Sequence, residues 1–266
     1  MHDHKWLWSA IPMSTEAPLL TFGFSTTSQR IKNLKRPDCS LPHEVIAFVQ
    51  NPKEQSYVFD LPKSTLVELK SSGVAKSRNA ALKHASGKYL IFGDDDIRFL
   101  DSGICQAIDY FESHPECSII LAQTQDETGS LRKRYESQIT PLKLTNSARA
   151  ATYELLVRVD AIREAGVAFD EEFGAGAKNF LGDEYIFIAD SLRKGLKGVH
   201  FPAVVAVHPT ESSGSRWGSD EDLAARAKVF TRVFGWKAPI ARLGFLLRTP
   251  NKKPGLFTSL RFIFGK

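Results

Sequence analysis

The run Tyr89-Leu90-Ile91-Phe92 passes through Gly93 directly into three consecutive carboxylates, Asp94, Asp95 and Asp96. Four successive apolar residues without polar alternation suit a strand covered on both faces, as in a parallel sheet flanked by helices. Three adjacent acids cannot follow such a strand into a core, because like charges repel and burial penalises each of them. The strand must therefore end at an open edge, where a cation, or a polyanion with its cation, offsets the charge. Asp-Asp-Asp alone would fit a solvated turn; the buried strand before it favours a metal site.

The same pattern recurs along the chain. Residues 19–25 and 45–50 are short apolar runs between polar segments, and the spacing predicts a helix over 74–85 that exits at Ser86-Gly87. A second helix is expected over 104–112, a strand over 118–122, and a polar loop or hairpin over 123–134. Further on, 150–158 reads as a strand and 160–165 as a short helix closed by Gly166. Leu181-Gly182-Asp183-Glu184 then opens an amphipathic run to Lys194, and 201–207 is a strand ending in His208. Alternating strands and helices imply an α/β fold, a single Rossmann-like domain with a mostly parallel central sheet, whose ligands sit at the carboxyl ends of the strands. Gly174-Ala175-Gly176 lacks the preceding strand and third glycine of a dinucleotide loop and is read as a loop feeding acids to a helix start.

Composition narrows the class. The chain has 266 residues, 42% hydrophobic and 24% charged, enough for one large core. No apolar run approaches the roughly 20 residues that span a bilayer, and no basic segment leads into a long apolar one near the start. A cytoplasmic protein is expected, peripheral at the inner face of the membrane. Cys39, Cys105 and Cys117 show no metal or redox spacing and are read as ordinary thiols. His2, Asp3 and His4 are read as tail. The net charge of +5 is local in origin: the 44 residues after Asp222 hold ten Lys or Arg and no acid, whereas the preceding residues hold 25 bases and all 30 acids. A nucleic-acid surface over the main body is therefore not expected.

From residue 19 to 214 the sequence resembles the nucleotide-sugar-dependent family 2 glycosyltransferases of the GT-A type, in particular bacterial members that build surface polysaccharides. The motifs that carry the resemblance occur in order: Ser25-Thr26 with Arg30, Gly73-Val74-Ala75-Lys76-Ser77-Arg78-Asn79, Gly87-Lys88 leading into the acidic strand, Phe169-Asp170-Glu171-Glu172-Phe173-Gly174, Gly182-Asp183-Glu184, and Val207-His208-Pro209. The resemblance implies a GT-A fold and an inverting transfer from a nucleoside diphosphate sugar to a glycan or lipid-linked acceptor. It implies that Asp94 and Asp96, with His208, lie at a Mn²⁺ or Mg²⁺ bridging the donor diphosphate, hard oxygen ligands suiting both ions. Ser25, Thr26, Arg30, Arg78, Asn79, Asp94 and Asp95 are then expected around the nucleotide, with Asp95 on the alternate face toward the ribose. Gln50 stands where many members present an aspartate to the base, and its amide could hydrogen-bond a nucleobase edge.

The family's acidic pair falls on Asp183-Glu184, in reversed order. Position favours Glu184 as the base that takes the acceptor proton; residue type favours Asp183. Neighbours on a helix point about 100° apart, so one of them is expected to face the acceptor. Rival readings are a nucleotidyltransferase acting on sugar phosphates, which has no need of the second acidic motif, and a catalytically silent nucleotide- or glycan-binding protein, which needs no base.

The expected organisation is an N-terminal tail over 1–18, a GT-A domain over 19–214 and a basic helical extension over 215–266. That extension interleaves aromatic and cationic residues, a mixture suited to an anionic membrane surface. The alternative is a tail whose apolar residues pack on the catalytic domain while its bases face water.

Overall fold

The computed structural model describes residues 17–209, 219–248 and 255–265; His2, Asp3 and His4 lie outside them. Chain order is β1 (Leu20–Thr27), β2 (His43–Gln50), β3 (Thr65–Leu69), α1 (Val74–His84), β4 (Tyr89–Asp94), β5 (Arg98–Phe99), α2 (Asp101–Ser113) and β6 (Cys117–Gln125). Then come β7 (Thr140–Pro141), β8 (Leu155–Arg158), α3 (Val159–Glu164), α4 (Asp183–Arg193), β9 (Lys197–Val207), α5 (Asp220–Phe234), α6 (Ala238–Arg248) and α7 (Leu256–Phe264).

The strands form one sheet in the order β3-β2-β1-β4-β8-β6-β9-β5, with β7 also paired to β9. Strands β1, β2, β3, β4, β6 and β9 run the same way, whereas β8 is inserted antiparallel between β4 and β6. The sheet is thus mostly parallel and the fold α/β. The strand expected over 150–158 is shorter than the apolar pattern suggested: Thr152–Glu154 is a 3-10 turn, and only Leu155–Arg158 pairs. The difference arises because the side chains of Thr152 and Glu154 are bonded outside the ladder, to Glu184 and to Lys133 and Tyr135.

Period-two alternation explains why β4 is buried on both faces. Tyr89 and Ile91 pack with Leu20, Phe22 and Phe111 on one side; Leu90 and Phe92 pack with Phe48, Ala81 and Phe187 on the other. Gly93 ends the run where a Cβ would lie 2.8 Å from the Phe24 ring and 3.0 Å from that of Phe99. Only a residue without a side chain lets the strand close on those rings and still deliver Asp94 to the edge.

Register places the chemistry. Ser25 pairs with Asp94 and Thr27 with Gln50, while Val207, the last residue of β9, pairs with Arg98 and Gln125. The carboxyl ends of β1, β2, β4 and β9 therefore share one edge. Between β6 and β9, residues 126–130 make a tight turn in which Asp126 accepts from the backbone of Thr128 and Ser130, the hairpin that the polar composition suggested.

The C-terminal helices build a second layer. Val229 and Val233 of α5 pack on Phe173, Tyr185 and Ile186, while Leu223, Phe230, Ala238, Leu246 and Phe262 join α5, α6 and α7. Much of the apolar content of the extension is thus spent on packing. Trp236, Ile240, Leu243 and Leu247, and Leu256, Phe257, Leu260 and Phe264, are nevertheless exposed. Among the described residues no helix is long and apolar enough to cross a membrane.

Candidate active site

The centre of the edge is Arg78, buried in the first turns of α1. Its guanidinium pairs with Asp183, lies 3.3 Å from Glu184 Oε1 and 3.8 Å from Asp94 Oδ1. Burial alone would lower the arginine's pKa, but the charges of Asp183, Glu184 and Asp94 raise it. One cation thereby holds together two acidic motifs nearly a hundred residues apart in sequence.

Two glycines make the acidic pair possible. Gly182 precedes α4 at φ +92°, where a Cβ would also strike Val229 of α5 at 2.5 Å. Gly174, at φ +95°, lets the loop lie so close to α4 that a Cβ would meet the Asp183 carboxylate at 2.7 Å. The two acids then part as neighbours on a helix should. Asp183 is buried against Arg78, and burial followed by the Glu184 charge raises its pKa, with Arg78 opposing. Glu184 is only partly buried: its Oε1 accepts from Thr152 Oγ1 at 2.6 Å, and it lines a cavity of about 1000 Å³.

At the end of β4 the three aspartates take different places. Asp94 stays on the α1 side beneath Arg78, and its pKa is raised, first by desolvation, with the charges of Asp96, Glu184 and Asp95 adding and Arg78 opposing. Asp96 is the most open of the three and faces His208, with Oδ1 and Nε2 3.9 Å apart. Asp95 corrects an expectation. Rather than facing a ribose, it is buried, accepts from Thr26 Oγ1 at 2.7 Å and pairs with Arg30 at 2.5 Å. Strand alternation does not govern it, because β4 has already ended at Asp94 and the chain turns there. Arg30 also reaches Asp96 at 3.0 Å, so Thr26 and Arg30 brace the acidic turn.

Two other expected nucleotide residues are used internally. Both ends of the Asn79 amide bond the backbone of Phe169, at 3.0 and 2.7 Å, so Asn79 anchors the segment leading to Gly174. Gln50 accepts the Gly73 N–H at 2.8 Å through Oε1, tying the end of β2 to the start of α1. Ser25 is buried at the end of β1, beside Asp94 in register.

The expected ligand trio Asp94, Asp96 and His208 does not converge: among the described residues no three acidic, His or Cys side chains are grouped to hold an ion. Asp94 is drawn toward Arg78 instead. The pair Asp96 and His208 does fit Mg²⁺ or Mn²⁺, since such ions are often held by one or two protein ligands and completed by substrate phosphates and water. His208 is oriented for it. Nδ1 donates to the Pro209 carbonyl at 2.7 Å, which fixes the ring with Nε2 turned toward Asp96. The Tyr153 ring, 4.8 Å away, packs beside the imidazole.

Thr152 and Tyr153 were not singled out from the sequence. They lie in a run that reads as strand, and nothing in their spacing marks a contact with Glu184 or His208.

Residues 53–166 match the model of the family described as Glycosyl transferase family 2. The matched segment contains Arg78, the three aspartates and Thr152, and stops before Asp183, Glu184 and His208. No curated protein gives a significant match. Among solved structures, residues 1–349 of S. aureus TarS in complex with UDP-GlcNAc superpose with a TM-score of 0.55 at 14% identity, over 92% of this chain and 70% of that one. TarS 1–349 alone gives 0.55 at 13%, over the same shares. The mannosyltransferase PcManGT from Pyrobaculum calidifontis, in complex with GDP-Man and Mn²⁺, gives 0.52 at 15%, over 98% of this chain and 77% of that one. Identities this low speak to the fold.

Proposed function

Since the chain is a family 2 glycosyltransferase of the GT-A type, we propose that it is an inverting, metal-dependent enzyme. It moves a sugar from a nucleoside diphosphate donor to a glycan or lipid-linked acceptor in cell-surface polysaccharide synthesis. The observation that supports this most is the Arg78 cluster, in which an acid from the diphosphate edge and the acidic pair of α4 meet at one buried cation. A nucleotidyltransferase has no use for the second acidic motif there, and a silent binder has no use for a partly open carboxylate beside a cavity.

Glu184 is the base. Asp183 is sealed by Arg78 and Gly174, whereas Glu184 faces the cavity and is aimed by Thr152. The acceptor hydroxyl gives its proton to the Glu184 carboxylate as its oxygen bonds the anomeric carbon. The bond from that carbon to the diphosphate breaks on the opposite face, and the nucleoside diphosphate leaves with the electron pair. Arg78 positions both acids. Asp96 and His208 would hold a Mn²⁺ or Mg²⁺, which when bound offsets the charge growing on the departing diphosphate. Asp94 and Arg78 would border the donor on the other side.

The exposed apolar residues of α6 and α7, on a segment with cations and no acid, support a peripheral contact with an anionic membrane surface.

Donor turnover tests the assignment. Across a panel of UDP- and GDP-sugars with Mn²⁺, the native protein releases nucleoside diphosphate, and Asp96→Ala lowers that release at least a hundredfold. Full release by Asp96→Ala, or its persistence in EDTA, refutes the metal role.

A further inference from the structure

One short turn touches both halves of the site. Thr152, Tyr153 and Glu154 form a 3-10 turn, in which successive side chains point about 120° apart. Thr152 Oγ1 donates to Glu184 Oε1 at 2.6 Å, the Tyr153 ring lies 4.8 Å from that of His208, and Glu154 points inward, 1% exposed. A strand could not do this. Its side chains alternate with period two, so Thr152 and Glu154 would share a face. Whatever fixes the turn therefore fixes the Glu184 contact and the His208 contact together.

Glu154 fixes it from both ends. Its N–H donates to the Ala151 carbonyl at 3.1 Å, and its Oε2 accepts the Ala151 N–H at 3.2 Å. Ala151 has no side-chain oxygen with which to cap the turn, so the capping falls to the carboxylate that reaches back. The same Oε2 accepts from Lys133 Nζ at 2.6 Å, and Oε1 accepts from Tyr135 Oη at 2.6 Å. Tyr135 Oη in turn accepts the Thr124 N–H at 3.1 Å, and the Thr124 carbonyl accepts the Arg132 N–H at 3.0 Å. Arg132 reaches on to the end of β9, where its guanidinium donates to the carbonyl of His208 at 3.3 Å and to that of Pro209. Residues 132–135, fastened to Thr124 of β6, thus hold the Glu154 turn and the strand end that carries His208.

Stability does not require a carboxylate here. A buried ion pair exchanged for apolar side chains of similar volume often leaves stability unchanged. What apolar packing lacks is direction. Donors from Lys133, Tyr135 and Ala151, converging on two carboxylate oxygens, hold the turn in one orientation.

We propose that Glu154 is the positioning residue that keeps the two halves of the site at one spacing, by locking the turn that sets Thr152 on Glu184 and Tyr153 beside His208. Buried as it is, Glu154 acts only through those neighbours. The proposal rests on Glu184 being the base and on His208 facing the metal.

The full chain carrying Glu154→Leu with Lys133→Met loses both members of the buried pair and strands no charge, so its urea midpoint should stay near native. At saturating Mn²⁺, its kcat for nucleoside diphosphate release from the panel of UDP- and GDP-sugars should fall about 10- to 100-fold with donor KM near native. Mn²⁺ affinity in the presence of UDP or GDP, read from the paramagnetic resonance of the free ion, should weaken about tenfold. Tyr135→Phe removes one bond to Glu154 at a residue outside the cavity lining, and should move both readings the same way by less. Thr152→Val should lower kcat in the native chain and add nothing in the double variant, where the hydroxyl no longer meets Glu184. Native kcat and native Mn²⁺ affinity in the double variant and in Tyr135→Phe would overturn the proposal. So would losses that follow the unfolded fraction, or an equal effect of Thr152→Val in both backgrounds. Should Glu184→Gln keep native kcat while the double variant still loses Mn²⁺ affinity, the base assignment falls and the brace at His208 stands.

Discussion

Replacing Arg78 by alanine removes the one cation shared by Asp94, Asp183 and Glu184. Asp183 is buried, and without Arg78 its charge has no compensation within the core. Breaking a buried pair by deleting one partner costs about 3–5 kcal/mol, against a total stability of roughly 5–15 kcal/mol. With a urea slope of about 2–3 kcal/mol/M, the unfolding midpoint of Arg78→Ala should fall by about 1–2.5 M. Adding Asp183→Asn to the same chain removes the stranded charge and should restore at least half of that loss, a coupling that only the pair produces.

The pH dependence follows from the sign of the Asp183 shift. Because its native pKa is raised by burial and by Glu184, the native state holds the proton more tightly than the unfolded state does. Stability contributed by this group therefore falls as pH rises from the unfolded value, about 3.9, through the raised native one. Arg78 opposes that shift, so its removal widens the window, and the deficit of Arg78→Ala should be smallest near pH 4 and largest at neutral pH. An unfolding midpoint within about 0.3 M of native, smaller than the lower end of the estimate from paired-charge loss, would refute this account. So would a deficit independent of pH, or one that Asp183→Asn does not relieve.

Three further predictions concern the rest of the molecule. Glu184→Gln should lower kcat about 10²- to 10⁴-fold with donor affinity and unfolding midpoint near native, whereas Asp183→Asn should act mainly on stability; steady-state kinetics beside urea titration separates them, and native kcat in Glu184→Gln would remove it as base. Ile240→Glu together with Phe257→Glu, both at exposed positions, should abolish co-sedimentation with anionic vesicles without unfolding the chain, and unchanged sedimentation would remove these helices from the membrane contact. Burial pushes the Cys39 thiol up to about 11, so at pH 8 iodoacetamide should modify it about a hundredfold more slowly than a free cysteine, whose pKa is about 8.5; an equal rate, read by mass spectrometry, would contradict the burial.

The strands of the central sheet were legible wherever burial is two-sided, because a run such as Tyr89–Phe92 has few other stable placements. So was the helix over 74–85, through its composition and its exit at Ser86-Gly87. Strand β3 was not, since Thr65–Leu69 at the sheet edge is only partly buried and carries no continuous apolar signal. The break in residues 150–158 escaped for a different reason: Thr152 and Glu154 leave the ladder because of partners, Glu184, Lys133 and Tyr135, that are distant in sequence.

The same division runs through the site. Local pattern by itself determined that an acidic turn ends a buried strand, that a second acidic pair opens a helix and that a histidine closes another strand, because each depends on burial and spacing over a few residues. Tertiary structure alone decided where each acid sits. Asp95 turns inward because Thr26 and Arg30 are there to receive it, Asp183 is sealed because Gly174 lets a loop lie against it, and Glu184 is left facing the cavity. Those outcomes are set by desolvation and by charges brought within 4 Å across the fold, and no spacing along the chain encodes such distances.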